Sequence, residues 1–508
     1  MQLLDKDLQQ LNEKNISKEE LESQIARFTQ GVPDVEVIKA ATIDDGIIRF
    51  DDDDFNEFVS FYENKNNIDV LKFVPASGAA TRMFKALHQF LNDVSVDEKE
   101  INNKLKQEEF ELFVPLFERI DDLAFYADAL DIAKRNTPQF EDYSEKEQIL
   151  IILRHAISED GLNLGNLPKG LIPFHKYKDQ TLTPFEEHLE ESKAYAEKSN
   201  EVQLHFTIPE GLDSEFNQIL DNYLQNQNNN RTGFKVNYST QKPSTDTIAV
   251  NEDNSPFRDD SGKLFFRPGG HGALIYNLNQ LDADIIFIKN IDNVSKRNKD
   301  KADTTTFKKA LAGLLLKLKE QLDNYLQLLE SGKADEKDIE NIKKFMHEKL
   351  NIADPAEQQE ELFKQLNRPL RICGMVINDG APGGGPFWIK DKDGRVSLQI
   401  VETSQMNVKN SAQKSILDSA THFNPVDIVC SIKDHNGKTY DLLNYVNKDR
   451  AFIASKSVDG HPIKALERPG LWNGAMEYWH SIFVEVPSST FNPVKTVVDL
   501  LKPAHQDQ

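Results

Sequence analysis

Residues 267–293 read RPGGHGALIYNLNQLDADIIFIKNIDN and predict a glycine-rich turn, a short helix and a buried strand in succession. The turn contains His271, and the apolar run 285–288 leads into the segment 290–293, which carries Asp292. Open α/β sheets bind ligands at the carboxyl ends of their strands. Proteins usually hold Mg²⁺ with one or two carboxylates and the phosphates of a substrate. The stretch therefore predicts a nucleotide site in which Asp292 holds magnesium.

Apolar runs of strand length recur on both sides of this stretch, and helical stretches separate several of them. The predicted strands are 70–74, 202–208, 234–238, 284–288, 371–377 and 397–401. One predicted helix, 184–198, follows Thr183, whose side chain is of a type that caps helix starts. Strands that alternate with helices form a mostly parallel, Rossmann-like sheet covered by helices. We therefore expect the α/β class.

Two long charged helical stretches interrupt this alternation, at about 96–159 and 304–366. Leucines recur every three or four residues in the second stretch, which predicts an antiparallel helical hairpin. The predicted organisation has three parts. They are an N-terminal helical region 1–66, an α/β domain 67–430 that carries both helical insertions, and a smaller C-terminal region 431–508.

The composition restricts the class of partner and the compartment. The 508 residues carry a formal charge of −23, which argues against binding to a nucleic-acid backbone or an anionic membrane surface. The N-terminus lacks the pattern of a signal peptide, and no window is apolar enough to span a bilayer. Both cysteines, Cys373 and Cys430, lie in apolar runs and are expected to be buried, reduced thiols. We expect a soluble cytoplasmic protein.

Three further segments carry residues suited to phosphate binding. The first strand runs into PASGAATR, where small residues let backbone N–H groups approach an anion at a helix start and Arg82 lies in the first turn. Lys169 is fixed between a proline and a glycine, and Lys495 follows a proline and a valine near the C-terminus. Each segment alone also fits a structural role, because small-residue turns commonly serve tight packing.

The order of these segments along the chain resembles the UDP-sugar pyrophosphorylase family, nucleotidyltransferases with a GT-A-like fold, and a bacterial domain-of-unknown-function family related to it. The matching segments are SGAATR (77–82), PKG (168–170), QKP (241–243), PGGHG (268–272), NIDN (290–293), IVETSQ (400–405) and VEVPSSTFNPVKT (484–496). The resemblance spans about residues 70–501. It implies that an NTP, UTP in this family, and a sugar 1-phosphate react to give an NDP-sugar and pyrophosphate.

The resemblance also implies a role for each matched residue. The implied catalytic cations are Arg82, Lys169 and Lys495. The implied nucleotide contacts are Ala76, Ser77, Gly78, Ala79, Thr81, Gln241 and Gly270. The implied sugar contacts are His271, Glu402 and Asn424. Asp292 would hold the cofactor Mg²⁺, and the helical insertions offer faces for a homo-oligomer.

Several residues keep a structural alternative. His271 can cap its own turn, Asn424 can start a turn before Pro425, and Glu402 can be a surface residue of an edge strand. The family loop has glycines where this chain has Ser77 and Ala80, which restricts positive φ angles. Two other functions therefore stay open: an inactive nucleotide-sugar-binding or sensor protein of the same fold, and a scaffold whose helical insertions bind a protein partner.

Overall fold

The structure is a computed structural model that describes residues 3–78, 80–226, 232–380, 383–458 and 460–506. Contacts between Cα atoms divide the chain into two compact units, and each is assembled from separate stretches of sequence. The first unit comprises Met1–Phe73, Ser239–Ile288 and Phe307–Val486. The second comprises Val74–Tyr238, Lys289–Thr306 and Pro487–Gln508.

Fifteen α-helices lie in the described ranges. They are α1 (Asp5–Lys14), α2 (Lys18–Gln30), α3 (Asp52–Glu63), α4 (Thr81–Asp93), α5 (Glu98–Leu105), α6 (Val114–Glu118), α7 (Tyr126–Asn136), α8 (Glu145–Ile157), α9 (Pro184–Tyr195), α10 (Asp213–Asn226), α11 (Leu274–Leu278), α12 (Asn298–Glu330), α13 (Glu336–Leu350), α14 (Gln359–Leu366) and α15 (Ser411–Asp418). Side-chain caps fix several helix starts. The Thr183 hydroxyl, for example, accepts a hydrogen bond from the Glu186 backbone N–H at 3.3 Å.

Eighteen strands lie in the same ranges. They are β1 (Glu36–Ala40), β2 (Thr42–Ile43), β3 (Gly46–Ile48), β4 (Val70–Pro75), β5 (His175–Lys176), β6 (Thr181–Leu182), β7 (Glu201–Thr207), β8 (Gly233–Ser239), β9 (Thr247–Val250), β10 (Phe266–Arg267), β11 (Ile285–Ile288), β12 (Leu370–Ile377), β13 (Gly385–Lys390), β14 (Val396–Val401), β15 (His422–Ser431), β16 (Phe452–Val458), β17 (His461–Glu467) and β18 (His480–Glu485).

The first unit is built on the main sheet, in which its strands follow the order β2-β3-β18-β12-β15-β11-β4. Four of these six neighbouring pairs are parallel, and β15 is antiparallel to both of its neighbours. Strands β4 and β11 are buried along their whole length, as expected for parallel strands covered on both faces. The α/β class with a mostly parallel sheet is confirmed. Two smaller sheets, β1-β13-β14 and β10-β9-β17-β16, complete the strands of this unit.

The second unit combines the neighbouring strands β7 and β8 with a thick helical layer. Helices α4, α5, α6, α7 and α8 supply a continuous apolar core, to which the C-terminal segment adds Val494, Val497, Leu500 and Leu501. The predicted first insertion, 96–159, is therefore helical and forms the larger part of this core. The second predicted insertion, 304–366, is occupied by α12, α13 and α14.

The predicted domain boundaries at 66 and 430 differ from the limits of the compact units. Residues 36–48 form three short strands inside the predicted N-terminal helical region, and two of these strands belong to the main sheet. Strand β18, from the predicted C-terminal region, lies between β3 and β12 in that sheet. The boundaries differ because strands far apart in sequence pair with each other in the sheet. The composition of a segment does not indicate which strands will pair. No helix in the described ranges is both long and apolar enough to cross a bilayer.

Candidate active site

In the second unit, Asp292 lies in a turn just beyond the end of β11. The turn is held by the backbone: the Ile291 N–H donates to the Pro75 carbonyl at 3.3 Å, and the Val494 N–H donates to the Asp292 carbonyl at 3.1 Å. The ring of His188, which is buried on α9, places Nε2 at 3.1 Å from the Asn290 carbonyl oxygen. These contacts leave the Asp292 carboxylate one-fifth exposed, at the carboxyl end of a buried parallel strand.

Lys169 joins three of the predicted segments. It begins a short 3-10 turn after Pro168, and its side chain is 14% exposed. Its Nζ donates to Asp292 Oδ2 and to the Val494 carbonyl oxygen, both at 2.7 Å. These acceptors lie 123 and 325 residues away in sequence. The PKG, NIDN and NPVKT segments thus converge on one ammonium group.

The small-residue loop 76–78 is tied by its backbone to the segment that carries Lys169. The Ala80 N–H donates to the Leu167 carbonyl at 3.1 Å, and the Lys169 N–H donates to the Gly78 carbonyl at 3.5 Å. The Ala76 N–H donates to the Thr207 carbonyl at 2.9 Å, so that amide is already engaged by the protein. Ala79, a predicted nucleotide contact, lies outside the described residues.

Helix α4 begins directly after this loop and has no side-chain cap, because its N-cap residue is an alanine. The first-turn residues Thr81 and Arg82 are exposed. An uncapped helix start presents backbone N–H groups with partial positive charge, which is a favourable environment for an anion. The guanidinium of Arg82 adds a full charge on the same turn.

The C-terminal segment places Lys495 next to this group. The backbone N–H of Lys495 donates to Asp499 Oδ2 at 2.9 Å, and Asp499 also caps the following 3-10 turn. Val494 is fully buried, whereas Lys495 is exposed. The side chain of Asn293 holds the C-terminal segment at two points. Its Oδ1 accepts a hydrogen bond from the Asn492 N–H at 2.8 Å, and its Nδ2 donates one to the Thr490 carbonyl at 3.2 Å.

The Asp292 carboxylate fits a magnesium ion that receives its other ligands from a substrate. No group of three or more His, Cys, Asp or Glu side chains suited to a metal occurs among the described residues. A complete protein cage is therefore not formed there. Lys169 bonds only Oδ2, which leaves Oδ1 for a ligand. One carboxylate oxygen, phosphate oxygens and water form the donor set that Mg²⁺ commonly takes in nucleotide sites.

In the first unit, Gln241 and the glycine-rich turn are in contact. Gln241 Nε2 donates to the Gly270 carbonyl at 3.2 Å. Gly270 has a φ of 58°, a left-handed conformation that glycine adopts without strain. A Cβ at Gly272 would lie 2.4 Å from the Arg468 Cβ, so close packing also requires this glycine. The exposed ring of His271 lies edge-on to Trp472, with 4.3 Å between ring centroids.

The predicted sugar-contacting residues Glu402 and Asn424 are hydrogen-bonded to each other. Asn424 Nδ2 donates to Glu402 Oε1 at 3.0 Å. Burial raises the pKa of the Glu402 carboxyl above its ordinary value, and the hydrogen bond from Asn424 partly opposes this shift. Asn424 Oδ1 is buried without a partner in the described part of the chain. Glu402 is partly buried and follows the end of β14, and Asn424 lies inside β15 rather than starting a turn.

Sequence comparison places these residues in a family. The family described as "Domain of unknown function (DUF4301)" matches residues 4–506. The chain belongs to this family. No curated protein matches the DUF4301 chain in sequence.

Several solved structures are similar to this DUF4301 protein in overall arrangement. The UDP-N-acetylglucosamine pyrophosphorylase from Trypanosoma brucei is 10% identical with a TM-score of 0.46, and the match covers 95% of this chain and 75% of that one. A mutant UDP-glucose pyrophosphorylase from Leishmania major in complex with UDP-glucose is 13% identical with a TM-score of 0.43, over 98% and 77%. A putative UDP-N-acetylglucosamine pyrophosphorylase from Entamoeba histolytica is 10% identical with a TM-score of 0.40, over 89% and 81%.

Three side chains of the DUF4301 protein that the sequence analysis did not predict hold the candidate site residues in place. His188 and Asn293 hold the backbone around Asp292, and Trp472 packs on His271. The sequence carried a signal for one of them, because Asn293 closes the NIDN segment that was singled out. His188 lies in an ordinary amphipathic helix, and Trp472 lies in a loop 201 positions beyond His271, so neither had a local signal.

Proposed function

We propose that the protein is a nucleotidyltransferase that joins an NTP, with UTP as the favoured one, to a sugar 1-phosphate and releases pyrophosphate. The observation that carries this proposal is the position of the Lys169 ammonium, within 2.7 Å of both Asp292 Oδ2 and the Val494 carbonyl oxygen. A cation, the carboxylate proposed to hold the metal and a second lysine segment thereby lie together at the end of a parallel strand. This is the equipment that phosphoryl-group chemistry requires.

The reaction needs positioning and charge neutralisation more than acid–base catalysis. An oxygen of the sugar phosphate, already ionised at neutral pH, attacks the α-phosphorus of the NTP. The bond between the α-phosphorus and the bridging oxygen breaks, and pyrophosphate leaves with that electron pair. No proton has to be removed from the nucleophile, so fixed cations and backbone donors can supply the catalysis.

The second unit supplies the groups that would hold the phosphates. Lys169 and Lys495 would stabilise the charge that develops at the α-phosphate, while Arg82 and the open start of α4 would bind the β- and γ-phosphates. Among the predicted loop contacts, Ser77, Gly78 and Thr81 remain proposed nucleotide contacts. The backbone N–H of Ala76 does not, because it already donates a hydrogen bond to the Thr207 carbonyl. Asp292 would hold Mg²⁺, which when bound supplies positive charge shared between the phosphate groups.

The first unit supplies the groups assigned to the base and the sugar. Gln241 has an amide able to read a base edge, and the left-handed Gly270, which carries no side chain, lets the turn approach a planar ring closely. Glu402, Asn424 and His271 would contact the sugar. The Oδ1 of Asn424, which has no hydrogen-bond partner among the described residues, is an acceptor suited to a sugar hydroxyl group.

The test is pyrophosphate release from the full chain with Mg²⁺ and a panel of NTPs and sugar 1-phosphates. We expect turnover with at least one pair, and none when either the NTP or the sugar phosphate is omitted. EDTA should abolish the turnover, and added Mg²⁺ should restore it. Absence of pyrophosphate from every pair would reject the proposal.

Two observations favour a second candidate, a protein that binds a nucleotide sugar without reacting it. Lys169 already neutralises one oxygen of Asp292, and the loop replaces flexible glycines with Ser77 and Ala80. Calorimetry with UDP-sugars, run beside the turnover assay, separates the two functions. Tight binding of a UDP-sugar together with no turnover would support the second candidate over the first.

A further inference from the structure

The turn that carries Asp292 is held in place through its backbone. The Asn293 N–H donates to the Asn290 carbonyl at 3.1 Å, which closes a turn with Ile291 and Asp292 at its centre. The Ile291 N–H donates to the Pro75 carbonyl at 3.3 Å. Carbonyl groups that are buried need partners just as N–H groups do. The direction in which Asp292 projects therefore depends on the groups that bind the carbonyls of this turn.

His188 binds two of these carbonyls from helix α9. Its Nε2 lies 3.1 Å from the Asn290 carbonyl oxygen and 3.2 Å from the Ile291 carbonyl oxygen. Carbonyl oxygens can only accept hydrogen bonds, so Nε2 must carry a proton in this contact. The His188 side chain is fully buried, and bulk water does not compete for that proton. One side-chain N–H therefore serves the two successive carbonyls that directly precede Asp292.

A second contact from the same face of α9 fixes the residue before the turn. Glu191 follows His188 by three positions, so the two side chains are neighbours on the helix. Glu191 Oε2 accepts from Lys289 Nζ at 2.7 Å, and this ion pair is buried. Loss of either partner would leave a buried charge, so the pair holds the two segments in one register. Helix α9 thus grips the chain at Lys289 and again at the two carbonyls.

Helix α9 is itself a firm support. Thr183 and Glu186 form a capping box at its start, and Pro184 occupies its first turn. Phe185 packs on Phe206 of β7, with 4.6 Å between ring centroids. A functional side chain is held most precisely when its supporting contacts come from a rigid element of this kind. The position of α9 is therefore passed to the Asp292 turn through His188.

We propose that His188 is a positioning residue that sets the affinity of the Asp292 turn for a divalent cation bound together with nucleotide phosphates. This inference rests on the proposed function, because it takes Asp292 as the metal-binding carboxylate. His188 would contact neither the cation nor the substrate. It would keep the Asp292 carboxylate in one direction by holding the two carbonyls behind it. Loss of such a supporting hydrogen bond typically weakens metal binding about 10- to 100-fold.

Two substitutions of the same chemical type separate the position of the donor from its presence. His188→Gln carries an amide N–H at about the reach of Nε2, so it should keep the affinity for the cation within about threefold. His188→Asn carries the same amide on a side chain one methylene shorter, which cannot reach the two carbonyls. We expect it to weaken cation binding by about tenfold or more.

Water-proton relaxation enhancement with Mn²⁺ and UTP measures the site on the full chain, without sugar 1-phosphate and without turnover. Mn²⁺ accepts the same oxygen ligands as Mg²⁺ and is paramagnetic. Calorimetry with UTP in EDTA is the parallel readout. Metal-free UTP should bind wild type and both His188 variants equally, because the proposed contacts of UTP do not involve His188. A merely structural defect would weaken both kinds of binding.

Ser192→Ala is the matched control, because Ser192 is buried on the same helix and its Oγ donates to the Leu189 carbonyl at 2.8 Å without touching the turn. It should bind Mn²⁺–UTP like wild type, and thermal midpoints establish that every variant is folded. Wild-type affinity in His188→Asn, or an equal loss in Ser192→Ala, would overturn the role of His188 while Asp292→Asn still weakened binding. Unchanged affinity in Asp292→Asn would instead reject the metal assignment, and the inference with it.

Discussion

Lys169 Nζ lies 2.7 Å from Asp292 Oδ2, and the two residues form a part-buried ion pair at the end of β11. In the proposed reaction, Lys169 would bind phosphate oxygens of the NTP directly and Asp292 would bind them through a metal ion. Binding of the NTP would therefore weaken the ion pair between Lys169 and Asp292, because each side chain would then interact with a phosphate group, Asp292 through the metal. This relationship gives the first two predictions.

Replacing Asp292 with asparagine should abolish most turnover while preserving the fold. The carboxamide keeps the size of the side chain but removes the negative charge that would hold Mg²⁺. We expect pyrophosphate release to fall on the order of 10²–10³-fold or more, measured at saturating substrates. Asp213→Asn is the matched control, because Asp213 is an exposed aspartate of the same unit at the start of α10. Wild-type rates in Asp292→Asn would remove the metal assignment.

Lys169→Met should slow turnover on the order of 10²–10³-fold, and Lys169→Arg should not restore it. The ammonium reaches two oxygens at once from a side chain that is only 14% exposed, and a longer planar guanidinium cannot occupy that point. Steady-state kinetics of pyrophosphate release measure the effect. Lys178→Met, at an exposed lysine of the same unit, should behave as wild type. Equal activity of the arginine and lysine forms would mean that charge alone, without its position, is sufficient.

Replacement by alanine should destabilise the fold at one glycine and have little effect at another. At Gly272 a Cβ would lie 2.4 Å from the Arg468 Cβ and 2.8 Å from the Pro469 carbonyl oxygen, so Gly272→Ala must displace backbone. We expect it to lower the free energy of unfolding by about 1–3 kcal/mol, measured by chemical denaturation. At Gly78 nothing lies within 4 Å of the added Cβ, so Gly78→Ala should be near neutral in stability.

The same Gly78→Ala variant addresses the altered phosphate loop. The family pattern suggests that glycines there permit positive φ angles, but Gly78 is not among the positive-φ glycines of the described chain. Ser77 and Ala80 are not among the positive-φ residues of the described chain either, and Ala80 has a φ of −74°, so both are compatible with this loop conformation. Turnover of Gly78→Ala should stay close to wild type. A large loss of turnover with normal stability would show instead that the glycine moves during the reaction.

Local pattern was sufficient for the strands that frame the site. The predicted strands 70–74 and 284–288 differ by one residue at one end from β4 and β11, because a parallel strand covered on both faces is a continuous apolar run. The helical nature of both insertions was also predictable, since charged and apolar residues alternate there with helical spacing. The order in which the strands pair was not predictable, because β18 pairs in the main sheet with strands that are far from it in sequence.

The same distinction applies to the candidate site. Asp292, Lys169 and Lys495 were identified as separate motifs, but their meeting depends on contacts across 123 and 325 residues. The hydrogen bond between Glu402 and Asn424 was equally hidden, because it joins residues 22 positions apart and Asn424 lies in β15, whose pairing with β12 is irregular near Met375 and Pro425. A local sequence pattern carries no record of such a register shift. Glu402, predicted as either a sugar contact or a surface residue, is a partly buried acid that is hydrogen-bonded to Asn424.

The partly buried carboxyl of Glu402 gives a pH-dependent prediction. Burial raises the pKa of the Glu402 carboxyl in the folded protein above its ordinary value of 4.5, which it regains on unfolding. Between these two pKa values the folded state binds more protons than the unfolded state, so this group's contribution to stability falls as pH rises. Below the ordinary value both states are protonated and no such loss occurs. Ionised Glu402 therefore destabilises the fold at neutral pH.

Glu402→Gln removes this titration and keeps an oxygen that can accept from Asn424 Nδ2. We expect its unfolding free energy, relative to wild type, to increase as pH rises through the window just above 4.5 and then to become constant. Chemical denaturation at a series of pH values measures the difference.

Asn424→Leu gives the complementary change. Loss of the donor removes the contact that lowers the Glu402 pKa, so the pH window in which wild-type stability falls should extend upward. A constant difference between Glu402→Gln and wild type at every pH would contradict the raised pKa. If Glu402 also binds the sugar, Glu402→Gln should raise the KM for the sugar 1-phosphate about tenfold while the KM for the NTP stays unchanged.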